Sequence, residues 1–105
     1  MRIDTDYLVI GSGIAGLFFA LKAAQHGRVA LITKRAWRDS NSNHAQGGIA
    51  VVTAPEDSVE SHVRDTLEAG AGLCKPEVVE AAVREGPEAV RELIEIGTVF
   101  SRERS

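Results

Sequence analysis

Three glycines interrupt the apolar stretch YLVIGSGIAGLFFAL, which runs from residue 7 to residue 21. Glycine weakens helices and strands, so each of these positions needs a steric reason to lack a side chain. A tight turn would require Gly11, a ligand lying against the backbone would require Gly13, and a helix packed on a strand would require Gly16. This combination is typical of a turn that binds the pyrophosphate of a dinucleotide at a helix N-terminus.

The segments around this turn have the pattern of a strand, a helix and a second strand. Residues 7–10 are apolar and β-rich, which suits a buried strand. Apolar residues then recur at helical spacing as far as Ala24, and Gly27 stands where a C-terminal glycine cap is expected. A second apolar run, VALIT, occupies residues 29–33. We therefore predict an α/β fold with a right-handed βαβ unit in residues 1–33.

A long polar segment follows the second strand. Residues 34–46, KRAWRDSNSNHAQ, have neither helical nor strand periodicity and are crowded with Asn, Ser and Asp. We predict a loop, and a loop of this length is usually functional or disordered. It leads into two glycines and the apolar run IAVV, which anchors one of its ends.

The second half of the chain is predicted to be helical between residues 57 and 97. Asp57 and Glu60 have the spacing of an N-terminal capping box, and the glycines of the AGAG segment end the first helix.

A second helix is expected to begin at Pro76, which suits the first turn of a helix. Gly86 and Pro87 should break or kink this helix, and Gly97 should stop it. The apolar pair at 99–100 then looks like the beginning of a strand.

The composition excludes several classes of protein. A hydrophobic content of 44% rules out a disordered tail, and no apolar run approaches the ~20 residues of a membrane helix. A net charge of -3 argues against a nucleic-acid surface. The acidic start MRIDTD does not resemble a signal peptide, so we expect a cytoplasmic protein without membrane or nucleic-acid partners. The single Cys74 cannot form an internal disulfide or a zinc site, and we expect it in the core.

The residues after the second strand bear on which dinucleotide is bound. An NAD site would have an acidic residue there, whereas this chain continues with Lys34 and Arg35. The basic pair could hold the 2′-phosphate of NADP, so an NADP-dependent reductase is one alternative from the residues alone. The other alternative is that Lys34 and Arg35 are simply exposed to solvent and bind no nucleotide.

Four segments resemble a known family. IGSGIAGL, ITK, NSNHAQGGIA and DSVESHVRDTLEAGAGLC look like the N-terminal part of L-aspartate oxidases, within the succinate dehydrogenase and fumarate reductase flavoprotein group. Many FAD and NAD proteins share the first segment, AQGGIA narrows the field to this group, and the last segment points to the oxidases. The family has Ser or Thr followed by Lys after the second strand, so Thr33 and Lys34 fit FAD. Ser101 departs from the family, which has an acidic residue after Phe100.

The resemblance implies an incomplete, N-terminal part of a Rossmann-type FAD-binding domain, with a βαβ fold in 1–33, a flavin loop in 34–48 and a helical segment in 57–97. It implies an oxidoreductase that oxidises L-aspartate to iminoaspartate in de novo NAD (pyridine nucleotide) biosynthesis. The family's catalytic residues lie beyond residue 105, so we expect the isolated chain to be inactive and its strand edges to promote self-association. Two alternatives to an L-aspartate oxidase remain: a fragment of a fumarate reductase or succinate dehydrogenase, and a small nucleotide-binding module that catalyses no reaction. A natural truncation of the chain also remains open.

The resemblance also implies the contacts with FAD. The glycine turn would meet the pyrophosphate, Lys34 the adenosine end, and the segment after residue 40 the flavin, where bare glycine backbone can lie against the flat ring. The implied FAD-binding residues are Gly11, Ser12, Gly13, Ile14, Ala15, Gly16, Lys34, Asn41, Ser42, Asn43, His44, Ala45, Gln46, Gly47 and Gly48. No metal ligand is implied. For His44, hydrogen bonding within the loop is the alternative to a contact with the flavin.

The mode of flavin attachment follows from the same alignment. Fumarate reductases and succinate dehydrogenases attach FAD covalently to a histidine seven residues before the last glycine of this segment. Counting back from Gly48 gives Asn41, whose amide is a poor nucleophile. We therefore predict noncovalent FAD, as in aspartate oxidases.

Overall fold

A computed structural model describes residues 1–45 and 48–101 of the chain. It divides into two compact units, Met1–Gly48 and Ile49–Ser105. The first unit contains strand β1, helix α1, strand β2 and the short helix α2, and the second contains helices α3 and α4. Their bounds are Tyr7–Ile10 (β1), Ile14–Ala23 (α1), Val29–Ile32 (β2), Asn41–His44 (α2), Val59–Ala69 (α3) and Pro76–Glu95 (α4).

The first unit is the predicted βαβ arrangement. Strands β1 and β2 are parallel and lie in register from Tyr7 opposite Val29 to Ile10 opposite Ile32. Helix α1 connects them, as parallel neighbours require. Val9 on β1 and Ala23 at the end of α1 are buried, and they form the small core of this unit.

Gly27 does not have the role that the sequence predicted for it. Helix α1 ends at Ala23 with Ala24 as its C-cap, and Gly27 lies beyond the turn that follows. A Cβ at Gly27 would lie 2.9 Å from the Asp6 carboxylate and 3.1 Å from the Tyr7 ring. That carboxylate accepts a hydrogen bond of 2.8 Å from the backbone amide of Arg28. The glycine therefore lets β1 and the start of β2 approach closely.

The predicted loop after β2 contains a helical turn, so its assignment as a segment without helical structure was wrong. Ser40 is the N-cap of α2, and its hydroxyl accepts a hydrogen bond of 3.2 Å from the Asn43 amide. A serine cap stabilises even a short helix because it pairs one of the amides that have no partner in the first turn. This local hydrogen bond carries no hydrophobic periodicity, which is why the pattern of apolar residues did not reveal it.

Helix α3 begins one residue later than the predicted capping box implies. Ser58, not Asp57, is the N-cap, and its hydroxyl accepts a hydrogen bond of 3.1 Å from the Ser61 amide. The Asp57 carboxylate instead accepts a hydrogen bond of 2.7 Å from the Ser58 amide. The helix ends at Ala69 with Gly70 as its C-cap, in agreement with the glycine-rich stop signal.

Helix α4 starts at Pro76 as predicted. Of the break or kink predicted at Gly86 and Pro87, the break does not occur, because the helix continues to Glu95, and the kink stays a prediction. A proline inside a helix removes one backbone hydrogen bond. The apolar face of α4 packs against α3 and buries Val83, and we attribute the continuity of the helix to this packing. No helix in the described ranges has the length and apolar character needed to span a bilayer.

The segment after α4 turns back on the helix and does not begin a strand. Gly97 has a φ of 109°, and the Thr98 amide donates a hydrogen bond of 2.9 Å to the Leu93 carbonyl. This is the geometry of a Schellman cap, which needs a left-handed residue at Gly97. Within the described residues up to 101, no strand forms at 99–100. Cys74, expected in the core, is only half-buried against the end of α3.

Candidate dinucleotide-binding site

The turn between β1 and α1 has the geometry that its glycines predict. Gly11 has a φ of 111°, a conformation that other residues rarely adopt, and its amide donates a hydrogen bond of 2.8 Å to the Ile32 carbonyl. A Cβ at Gly16 would collide with the Gly11 carbonyl oxygen and lie 3.4 Å from the Val9 side chain. The predicted steric reasons for Gly11 and Gly16 are therefore confirmed.

Gly13 differs from the other two glycines, because no contact within residues 1–45 and 48–101 requires it. Its φ of -71° and ψ of 174° are open to any residue. A Cβ there would meet only the Ser42 hydroxyl, at an ordinary contact distance of 3.5 Å. The space beside this backbone is thus available to a ligand. A dinucleotide pyrophosphate fits this position because it needs close approach to the chain.

The N-terminus of α1 offers a suitable environment for an anion. Gly13 is the N-cap and contributes no side-chain cap, and no acidic residue lies in the first turn. The amides of the first turn and the positive end of the helix dipole therefore favour negative charge at this end. Ile14 and Ala15, in the first turn, are exposed.

Ser12 lies in the same turn but is turned inward. Its side chain is buried, with a relative exposure of 4%, and its hydroxyl donates a long hydrogen bond of 3.4 Å to the Thr33 hydroxyl. This contact connects the glycine turn to the residue that follows β2. Lys34, the next residue, is exposed.

The predicted flavin loop includes the short helix α2, so residues 41–44 lie on a helical turn and not in an extended segment. Ser42 reaches the glycine turn, where its hydroxyl accepts a hydrogen bond of 3.0 Å from the Ile14 amide. His44 instead lies 3.4 Å from the Asp39 carboxylate, which also contacts Arg35 at 3.4 Å. Hydrogen bonding within the segment, the alternative proposed for His44, is thus what the structure shows.

The remaining predicted residues of this segment make fewer contacts. The side chains of Asn41, Asn43 and Ala45 are exposed. A Cβ at Gly48 would lie in open space. Gln46 and Gly47 lie outside the described residues.

Sequence reasoning missed two contacts that shape this site. The Ser12 to Thr33 and Ser42 to Ile14 hydrogen bonds join residues 21 and 28 positions apart, and no local pattern indicates either of them. A signal for α2 did exist, because a serine preceding an Asn-rich stretch is a common helix N-cap.

The comparisons with known proteins agree with this geometry. Residues 6–105 match the family model for an FAD binding domain, and the chain belongs to that family. FAD is therefore the dinucleotide that fits the turn, and the NADP alternative falls away.

Within this class, the chain is similar to L-aspartate oxidases, as the sequence motifs predicted. It is 57% identical over 95 residues to the chloroplastic L-aspartate oxidase 2-a of Nicotiana tabacum, covering 90% of this chain and 15% of that protein. It is 50% identical over 97 residues to the L-aspartate oxidase of Synechocystis, covering 92% of this chain and 18% of that protein. The chain thus spans less than a fifth of the length of these two relatives.

Solved structures give the same fold. The quinol fumarate reductase FrdA of E. coli, in a mutant form, matches 98% of this chain with a TM-score of 0.87 and 36% identity, and the match covers 18% of that chain. The Sdh1 complex of Mycobacterium smegmatis, in its apo form, matches 95% of this chain with a TM-score of 0.83 and 33% identity, and again 18% of that chain is covered. The predicted fold, part of the FAD-binding domain of this flavoprotein group, is confirmed.

Proposed function

We propose that the chain is the FAD-binding N-terminal segment of an L-aspartate oxidase, which oxidises L-aspartate to iminoaspartate as the first step of NAD biosynthesis. The observation that carries the proposal is Gly13, a glycine that no contact within the described residues requires, placed at the N-terminus of α1, whose first turn holds no acidic residue. The identity to L-aspartate oxidases over 90% of the chain supports the choice of substrate.

In this proposal the chain's residues bind and orient the cofactor. The backbone from Gly11 to Gly16 holds the pyrophosphate, with Ser12 contributing its backbone because its hydroxyl is engaged with Thr33. Lys34 is exposed beyond β2, where it can reach the adenosine end. Residues 41–48 line the flavin, and the bound flavin supplies the hydride acceptor for the oxidation.

We further propose that FAD is held without a covalent bond. Asn41 occupies the position of the histidine that carries the flavin in the covalent members of the group, and an amide does not provide the required nucleophile. His44 is the nearby imidazole, and its Nε2 faces the Asp39 carboxylate at 3.4 Å. That contact supports a structural role for His44.

The isolated chain should neither turn over L-aspartate nor remain monomeric. Substrate-binding residues are proposed to lie in the part of the complete protein beyond residue 105. Large apolar side chains are exposed on the first unit, among them Leu8, Ile10 and Ile32 on the two strands. Such a surface favours self-association. We propose a cytoplasmic location without nucleic-acid or membrane partners, to be tested by fractionation, since the tobacco relative is chloroplastic.

The test uses the complete protein that carries this sequence, purified with its flavin and titrated anaerobically. We expect L-aspartate to bleach the flavin absorbance and succinate to leave it unchanged. Bleaching by succinate alone would instead favour a succinate dehydrogenase or fumarate reductase, the structural relatives of this chain. A colourless protein that binds neither FAD nor another nucleotide would contradict the proposal.

A further inference from the structure

We infer that Gly86 is a positioning residue for the flavin, because it allows Val51 to sit against α4 and so fixes the end of the flavin loop. The inference rests on the proposed function, in which residues 41–48 line the flavin. Val51 follows that segment closely in the sequence, whereas Gly86 lies far along the chain, inside α4. The contact between these two residues is the observation that suggests the role.

Packing of apolar side chains holds the segment that follows Gly48. Residues 49–52 belong to no helix or strand, and within the described ranges no backbone–backbone hydrogen bond involves them. Their side chains are all apolar and can form no hydrogen bond. Ile49, Ala50 and Val51 line one groove together with residues of α3 and α4. Van der Waals contacts with these helices therefore determine where the segment lies.

The contact at Gly86 leaves no room for a side chain. A Cβ built there would lie 2.9 Å from Val51 Cγ1 and 3.7 Å from Val51 Cβ. Carbon atoms in contact are normally about 3.5–4.0 Å apart, so a side chain at Gly86 would force this branch of the valine to retreat by about 0.6 Å or more. A β-branched side chain has few rotamers open to it. We therefore expect the backbone of residues 49–52 to move.

Gly86 also stands directly before Pro87, which gives it a second steric role. A proline disfavours helical backbone at the residue before it, in part through a clash with the Cβ of that residue. Gly86 has no Cβ, and this helps α4 to continue through Pro87 to Glu95. A substitution at Gly86 thus acts on two neighbours, Val51 and Pro87, whose effects have to be separated.

A displaced Val51 would carry the end of the flavin loop with it. Only Ile49 and Ala50 separate Val51 from Gly48, whose bare backbone is proposed to lie against the flavin ring. The shift is therefore transmitted to Gly48 over two residues. The pyrophosphate, in contrast, is proposed to be held by the turn between β1 and α1. Its binding should not respond to the shift.

The experiment measures the affinity of the complete, flavin-free protein for FAD and for ADP by isothermal titration calorimetry. ADP contains the pyrophosphate but no flavin. We expect Gly86→Ala to weaken FAD by about fivefold or more, because bound flavin requires Gly48 in its original place and so enforces the overpacked contact. The affinity for ADP should not change. The absorption spectrum of the flavin in the loaded variant should shift, because the loop borders the ring.

The substitution Val51→Ala makes the test specific to the contact. It removes both branches of the valine, so the methyl group added by Gly86→Ala then finds room. We expect Gly86→Ala to leave the FAD affinity unchanged, or to raise it, when it is introduced into the Val51→Ala protein. Such a dependence on Val51 cannot come from Pro87, whose ring meets the added methyl group in both backgrounds.

Glu85→Ala is the matched control, because Glu85 is exposed and adjoins Gly86 on α4. It should leave both affinities at their wild-type values. If Gly86→Ala does not fold, Val51→Ala alone decides, because loss of the contact should weaken FAD without weakening ADP. Wild-type affinity for FAD in that variant would overturn the inference.

Three further results would overturn the inference while leaving the proposed function in place. They are an unchanged FAD affinity in Gly86→Ala, equal weakening of FAD by Gly86→Ala with and without Val51→Ala, and an ADP affinity that falls as far as the FAD affinity. A wild-type protein that binds neither FAD nor ADP would overturn both.

Discussion

The carbonyl oxygen of Gly11 occupies the space that a side chain at Gly16 would fill. The two glycines therefore form one steric unit, in which the left-handed turn at Gly11 brings the chain against the first turn of α1. Neither glycine can be replaced without moving the backbone.

The first prediction follows from this contact. Gly16→Ala should destabilise the flavin-free complete protein by about 1–3 kcal/mol, the usual cost of overpacking a site that cannot relax. The loss of stability is measured as the shift in the thermal unfolding midpoint of the flavin-free protein. Gly48→Ala is the matched control, since a Cβ at Gly48 would meet no atom of the described residues within 4 Å, and it should leave the midpoint nearly unchanged. Equal midpoints for the two variants would contradict the close approach of Gly11 and Gly16.

The second prediction distinguishes the observed cap of α3 from the capping box that the sequence suggested. Ser58→Ala should cost about 1 kcal/mol, because it removes the acceptor for the Ser61 amide. Glu60→Ala should have a much smaller effect, since Glu60 is exposed and its ion pair with Arg84, at 3.6 Å, lies at the surface. Denaturant unfolding of both variants provides the comparison. A larger loss of stability for Glu60→Ala than for Ser58→Ala would instead support the predicted capping box.

The third prediction concerns flavin attachment. Acid precipitation of the flavin-loaded complete protein should leave the yellow colour in the supernatant, because Asn41 cannot form the bond that a histidine forms in the covalent relatives. Mass spectrometry of peptides from the pellet is the check. Flavin mass on a peptide that contains His44 would contradict both the alignment and the choice of an aspartate oxidase.

Structural features that depend on steric contacts between residues close in the sequence could be predicted from the sequence alone. Gly11 and Gly16 were predicted correctly because a tight turn and a close helix-strand contact each exclude a side chain in a known way. The strands were likewise found from their short apolar runs. These features are encoded within a few residues of where they act.

Features that depend on contacts between residues far apart in the sequence were either not predicted or were predicted with an incorrect structural role. Gly27 was predicted to cap helix α1, yet a side chain there would contact Asp6. No periodic pattern in the sequence indicates that these two residues are close in space. Pro87 was expected to break or kink the helix, yet α4 continues through it while packing on α3. The contact between Ser42 and Ile14 required α2, which forms through a side-chain hydrogen bond that hydrophobic patterns do not reveal.

The central claim, that the N-terminus of α1 holds the FAD pyrophosphate, is tested most directly by Gly13→Ala. The backbone conformation at Gly13 suits alanine, and among the described residues the added methyl group would have only the Ser42 hydroxyl nearby, at 3.5 Å. The stability of the flavin-free complete protein should therefore be unchanged or slightly higher, in contrast to Gly16→Ala. The measurement is the dissociation constant for FAD, obtained by titrating the flavin-free variant. We predict binding weakened by about tenfold or more, because the methyl group displaces the phosphate from its hydrogen-bond donors. Wild-type affinity for FAD in a stably folded Gly13→Ala variant would contradict the account.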